Sequence, residues 1–87
     1  MSVVRVIVVR TGGFANVRRE AEVDDPGEAE RLSEAARRSA GREVSSRARD
    51  AFSYEVRVVT TTETHVYELT ETQLDPDLRP RLRDLLR

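Results

Sequence analysis

Side chains able to do chemistry are few in this sequence, and their spacing argues against the common uses of each. The one histidine, His65, stands in "THVYEL". A zinc site built on it would need carboxylates gathered from elsewhere, because the H-E-x-x-H pattern is not there; it reads as a surface or rim residue on a strand. Ser45 and Ser46 lie in an aperiodic stretch, and no G-x-S-x-G elbow exists to activate a serine. Gly12-Gly13 lacks G-x-G-x-x-G spacing and a following lysine, and feeds a strand rather than a helix, so it is no phosphate loop. The neighbouring carboxylates Asp24 and Asp25 read as a helix start. With no cysteine, thiolate metal sites, disulfides and cysteine nucleophiles are ruled out. The expectation is a protein that is not an enzyme and uses no metal or cofactor.

All 15 basic residues are arginine, set against 16 acids, so no net field steers the chain to nucleic acid or a membrane surface. Arg18-Arg19, Arg37-Arg38 and the arginines of the C-terminal segment could touch phosphates. Stacking aromatics are scarce, however, and Glu20, Glu22, Glu34 and Asp84 interleave with the cations, which describes a solvated face. The N-terminal "MSVVRVIVVR" is cut by Arg5 and Arg10 and reads as a strand rather than a signal. No apolar run approaches the ~20 residues of a membrane span. A soluble, intracellular (cytoplasmic) protein with no nucleic-acid or membrane partner is expected.

The elements that must position any site follow from periodicity. Val3–Val9 is rich in β-branched residues and ends in Thr11-Gly12-Gly13, a strand followed by a hairpin turn. A two- or four-residue loop sets Val4 against Ala21, Val8 against Val17 and Arg10 against Ala15, with Arg5 opposite Glu20 on the other face. Val3, Ile7 and Val9 fall on the outer face, so this strand is either central and covered on both sides or part of an exposed apolar stripe that would favour a homodimer. "DDPGEAERLSEAARRSAG" is a helix with Asp25 as N-cap, Pro26 at its first position and Gly41 as its stop. Its inward face offers Ala29, Leu32, Ala36 and Ala40. Arg42–Asp50 has no period and reads as a mobile loop.

A second hairpin joins "AFSYEVRVVT" to "THVYELT"; a turn at Thr62-Glu63 pairs Val58 with Tyr67, Val56 with Leu69 and Arg57 with Glu68. The ending "LDPDLRPRLRDLLR" carries Leu78, Leu82, Leu85 and Leu86 at helical spacing, with the regular helix starting close to Pro80. The order ββαββα predicts an α+β fold: a four-stranded antiparallel sheet with two helices on one face, in a single domain over residues 1–87.

One feature resists a purely structural account. In "VVRTGGFANVRRE" a large apolar residue, Phe14, sits beside the two glycines of a hairpin tip. Either it folds onto the protein's own core or it is left for a partner.

Here the residues resemble a family. "RTGGFANVRR" (Arg10–Arg19) is similar to the S-G-G-F-A-G-x-R-R signature of emfourins, small protein inhibitors of thermolysin-like, protealysin-type zinc metallopeptidases, with Thr11 in place of the Ser and Asn16 in place of the later Gly. "DAFSYEV" (Asp50–Val56) resembles the family's D-x-F-x-Y strand, and "LDPDLRPRLRDLL" (Leu74–Leu86) its L-P-x-x-L-R-P ending, with Asp75 inserted before Pro76. Asp24–Arg49 carries none of the likeness. The resemblance implies a bacterial inhibitor that occludes a metallopeptidase's active-site cleft. Thermolysin-like enzymes favour a bulky apolar residue just after the scissile bond, so the implied contact surface is Thr11, Gly12, Gly13, Phe14, Asn16 and Arg18. The competing reading is a structural or regulatory interaction module, monomeric or weakly homodimeric, with no peptidase target.

Overall fold

The computed structural model describes residues 3–12, 18–41 and 52–86. Four strands, β1 (Val3–Gly12), β2 (Arg19–Val23), β3 (Phe52–Thr60) and β4 (Thr64–Thr70), form one sheet in the order β2-β1-β3-β4. All neighbours run antiparallel. Helix α1 (Pro26–Ala40) follows β2, and a 3₁₀ turn (Glu71–Gln73) leads from β4 to helix α2 (Leu78–Leu85). The expected ββαββα order and antiparallel sheet are both present.

Local chemistry accounts for α1 at each end. The Asp25 side chain accepts from the Glu28 backbone N–H at 3.0 Å, Pro26 opens the helix, and Gly41 caps it by donating back to Arg38. The buried face is Ala29, Leu32, Ala35, Ala36 and Ser39, whereas Ala40, expected inside, is exposed. Ser39 can go inside because its hydroxyl is fully used: it donates to Ala35 O at 2.9 Å and accepts from Asp75 N at 2.8 Å. That second bond ties α1 to the segment entering α2. Helix α2 starts two residues before Pro80, and Leu78, Leu82 and Leu86 join Leu32, Val6, Val8, Val56 and Leu69 in one core. Both helices therefore cover the sheet face that carries Val6 and Val8.

The strand registers depart from expectation. Val8 lies opposite Ala21 and Val6 opposite Val23, not Val8 opposite Val17. The displacement is four residues, an even number, which keeps the paired residues Val6–Arg10 and Arg19–Val23 on their expected faces. The register centres the turn two residues further along the chain than assumed, and the last β1–β2 pair among the described residues is Arg10 with Arg19. Arg5 reaches Glu22 at 3.6 Å rather than standing opposite Glu20. In the second hairpin, Val58 faces His65 and Val56 faces Tyr67, two residues from the expected pairing. The turn falls at Thr61-Thr62 because Thr60 organises it, its Oγ1 accepting from Glu63 N at 3.0 Å while its backbone N–H donates to Glu63 O at 2.8 Å. Arg57 consequently pairs with Glu55 on its own strand at 2.8 Å and not with Glu68.

Strand β1 is central, and the apolar stripe considered above is not an exposed one. Val9 is 5% exposed between Glu20 and Glu55, and Ile7 is half-buried. A register irregularity between Val3 and Arg5 lets Val3 pack against the core and turns Val4 outward, 45% exposed. The Arg42–Asp50 loop lies outside the described residues.

Candidate functional site

Beyond Arg10, no further β1–β2 pair is present among the described residues. Thr11 pairs with Ser53 and Gly12 with Phe52, so the last described residues of β1 are held by β3. Gly12 has φ 101°, a region open to glycine and strained for residues with a Cβ. The glycine is therefore required by the backbone path at this end of β1.

On the core side of this end, the Arg10 guanidinium lies over the Phe52 ring, 4.5 Å from its centroid. Its Nε is buried with no hydrogen-bond partner among the described residues. Tyr54, opposite Arg10 in the register, has its hydroxyl pKa raised, first by burial and then by the Glu71 carboxylate; the hydrogen bond from Arg10 and the charges of Arg10 and Arg79 pull the other way. A phenol whose folded pKa lies above its unfolded value holds its proton longer in the native state, so stability falls as pH rises past the ordinary tyrosine pKa of 10.0. Tyr54→Phe removes that linkage. Melting temperature plotted against pH should drop less steeply above that point for the variant than for the wild type, and parallel curves would show that Tyr54 titrates normally.

On the opposite face the same end of the sheet forms an open groove of about 610 Å³ whose lining includes Val9, Thr11, Arg18, Glu55, Glu68 and Thr70. Val9 supplies an apolar floor. Glu55 and Glu68 stand directly opposite each other, with Arg57 on Glu55 alone. Arg18 meets Glu20 at 3.4 Å, both well exposed. Such a pair contributes ~0–1 kcal/mol, so the Arg18 fork can change partners at little cost.

Of the residues singled out in the sequence, Thr11 and Arg18 thus line one groove, and Gly12 follows Thr11 at the end of β1. Gly13, Phe14 and Asn16 lie outside the described residues. Val9, Glu55 and Glu68 were not anticipated as site residues; strand alternation placed them on the outer face, but only the register brings them together. A second groove, of about 660 Å³ between α1 and α2, is lined by Glu30, Arg31, Glu34, Arg38, Asp77 and Arg81. Its cations are engaged: Arg38 meets Asp75 and Asp77, and Arg81 meets Glu28. This is a solvated, ion-paired surface. Among the described residues no helix is long and apolar enough to cross a membrane.

A family model described as Emfourin matches residues 8–86, nearly the whole chain. No curated protein and no solved structure gave a significant match.

Proposed function

We propose, from the premise that this chain belongs to the Emfourin family, that it is a protein inhibitor of a thermolysin-like, protealysin-type zinc metallopeptidase. In this reading the tip formed by Thr11, Gly12, Gly13 and Phe14 enters the enzyme's cleft, and Phe14 occupies the pocket that takes a bulky apolar side chain. Asn16 and Arg18 contact the rim.

The observation that carries the reading is Gly12 at φ 101°, the last described residue of β1, paired with Phe52 of β3. A left-handed residue anchored by a β3 pairing starts the tip from a rigid base. Rigidity lowers the ordering cost of docking and resists the extended geometry that cleavage needs. The open groove supports it further, because Thr11 and Arg18, which flank the tip in sequence, both line it and can extend the contact beyond one side chain.

The test is direct. Hydrolysis of a fluorogenic peptide by a thermolysin-like peptidase should fall in proportion to added protein and reach its floor near one inhibitor per enzyme, with the inhibitor recovered uncut by mass spectrometry. Undiminished hydrolysis in the presence of folded protein would remove the inhibitor reading and leave a docking module without a peptidase target.

A further inference from the structure

The two edges of the sheet are protected to different degrees. Strand β2 is five residues long and carries Arg19, Glu20 and Glu22, charges of the kind that discourage a foreign strand from adding to an edge. Strand β4 is seven residues long, keeps an unbroken register with β3 and carries one acid, Glu68. It has no proline or lysine. Among the described residues no other strand pairs with its far side. Its third residue is Val66, 50% exposed, the most exposed large apolar side chain described.

We infer that β4 is a self-docking edge, through which two copies of this chain pair antiparallel across a two-fold axis at Val66 and join their sheets into one of eight strands. The self-complementarity of the strand points to a second copy. Residues opposite each other across such an axis lie on the same face only if the axis passes through a residue. An axis at Glu68 would set two carboxylates together, and one at Tyr67 would set Val66 beside a carboxylate. The axis at Val66 brings the two Val66 side chains together, places the Thr64 hydroxyl opposite Glu68 of the second copy as a donor to its carboxylate, and sets His65 against Tyr67. Each pairing is apolar with apolar, donor with acceptor, or ring with ring. Because β1 and β2 lie on the far side of the sheet from β4, dimerisation leaves both tips free, and the dimer presents two docking ends.

Sedimentation equilibrium on the intact protein tests this. The wild type should sediment at twice its 9.9 kDa chain mass at high concentration and dissociate on dilution. Val66→Lys puts two like charges at the axis and should raise the dissociation constant by roughly tenfold or more. Thr64→Lys places a cation opposite Glu68 of the second copy and should tighten the dimer instead. Val4→Lys, at the other exposed valine, should change nothing. All four positions named are on the surface, and melting curves check that each variant is folded. A wild type that stays monomeric at every concentration, a Val66→Lys protein that dimerises as before, or a Thr64→Lys protein that dissociates more readily would each overturn the proposal.

Discussion

Leu32→Ala is expected to lower folding stability by about 2–5 kcal/mol, the range for truncating a fully buried leucine. Leu32 is 0% exposed and is the one large side chain on the buried face of α1, whose other members are alanines and Ser39. The position within that range depends on how far the surroundings can settle into the space left behind. Here α1 is held off from settling at both ends: Ser39 is bonded to the Asp75 backbone, Arg38 to the Asp75 carboxylate, and Glu28 to Arg81. The cavity should persist, which favours the upper half. For a domain of this size each kcal/mol shifts the melting temperature by roughly 4–8 °C, so the loss should be read easily in a thermal melt. Arg37→Ala, on the exposed face of the same helix and paired with Glu34, should stay within about 0.5 kcal/mol of wild type. A Leu32→Ala protein melting as the wild type does would mean that α1 is not packed on the sheet as described.

Helix α1 was legible in the sequence to the residue because its signals are local: an acid that can cap, a proline at the first position and a glycine at the stop. The strands were legible as strands, and their faces were assigned correctly from Arg5 on, whereas Val3 and Val4 exchange faces at the register irregularity that opens β1. What escaped was register, displaced by four residues in one hairpin and two in the other. Both displacements are even numbers for one reason: apolar alternation forbids an odd slip but cannot distinguish even ones. In each hairpin the sequence offers a charge pair to break the tie, Arg5 with Glu20 and Arg57 with Glu68. Arg5 and Arg57 do find acids, but Glu22 and Glu55 rather than Glu20 and Glu68. Exposed ion pairs contribute too little, and long side chains reach too far, to fix a pairing. Turn chemistry did fix one, since Thr60 closes its turn through its own hydroxyl. The same limit explains the candidate site. Thr11, Gly12 and Arg18 stood out through their place around a turn, whereas the groove formed by Val9, Glu55 and Glu68 exists only once three strands are aligned. Ser39 was missed for a different cause: a polar residue on a helix face reads as exposed unless its two partners, one of them 36 residues away, are known.

Phe14→Ala should weaken inhibition by several-fold to several-hundred-fold, the equivalent of ~1–4 kcal/mol for an anchoring aromatic, while the melting temperature stays near that of the wild type. If Phe14 belonged to the protein's own core instead, the same change would cost about 3–5 kcal/mol of folding stability, and inhibition would fall only with the folded fraction. Gly12 offers an independent handle on the same site. At φ 101° a β-branched side chain is strongly disfavoured, whereas asparagine tolerates positive φ better than other residues with a Cβ. Gly12→Val should therefore displace the tip and weaken inhibition, and Gly12→Asn should recover part of what Gly12→Val loses. A tip that merely fills space would not distinguish these two substitutions in inhibition once stability is matched. Melting and inhibition measured on the three variants together separate the cases. A Phe14→Ala protein that melts far lower yet inhibits normally when folded, with Gly12→Val and Gly12→Asn indistinguishable from wild type in inhibition, would take the hairpin tip out of the contact with the peptidase.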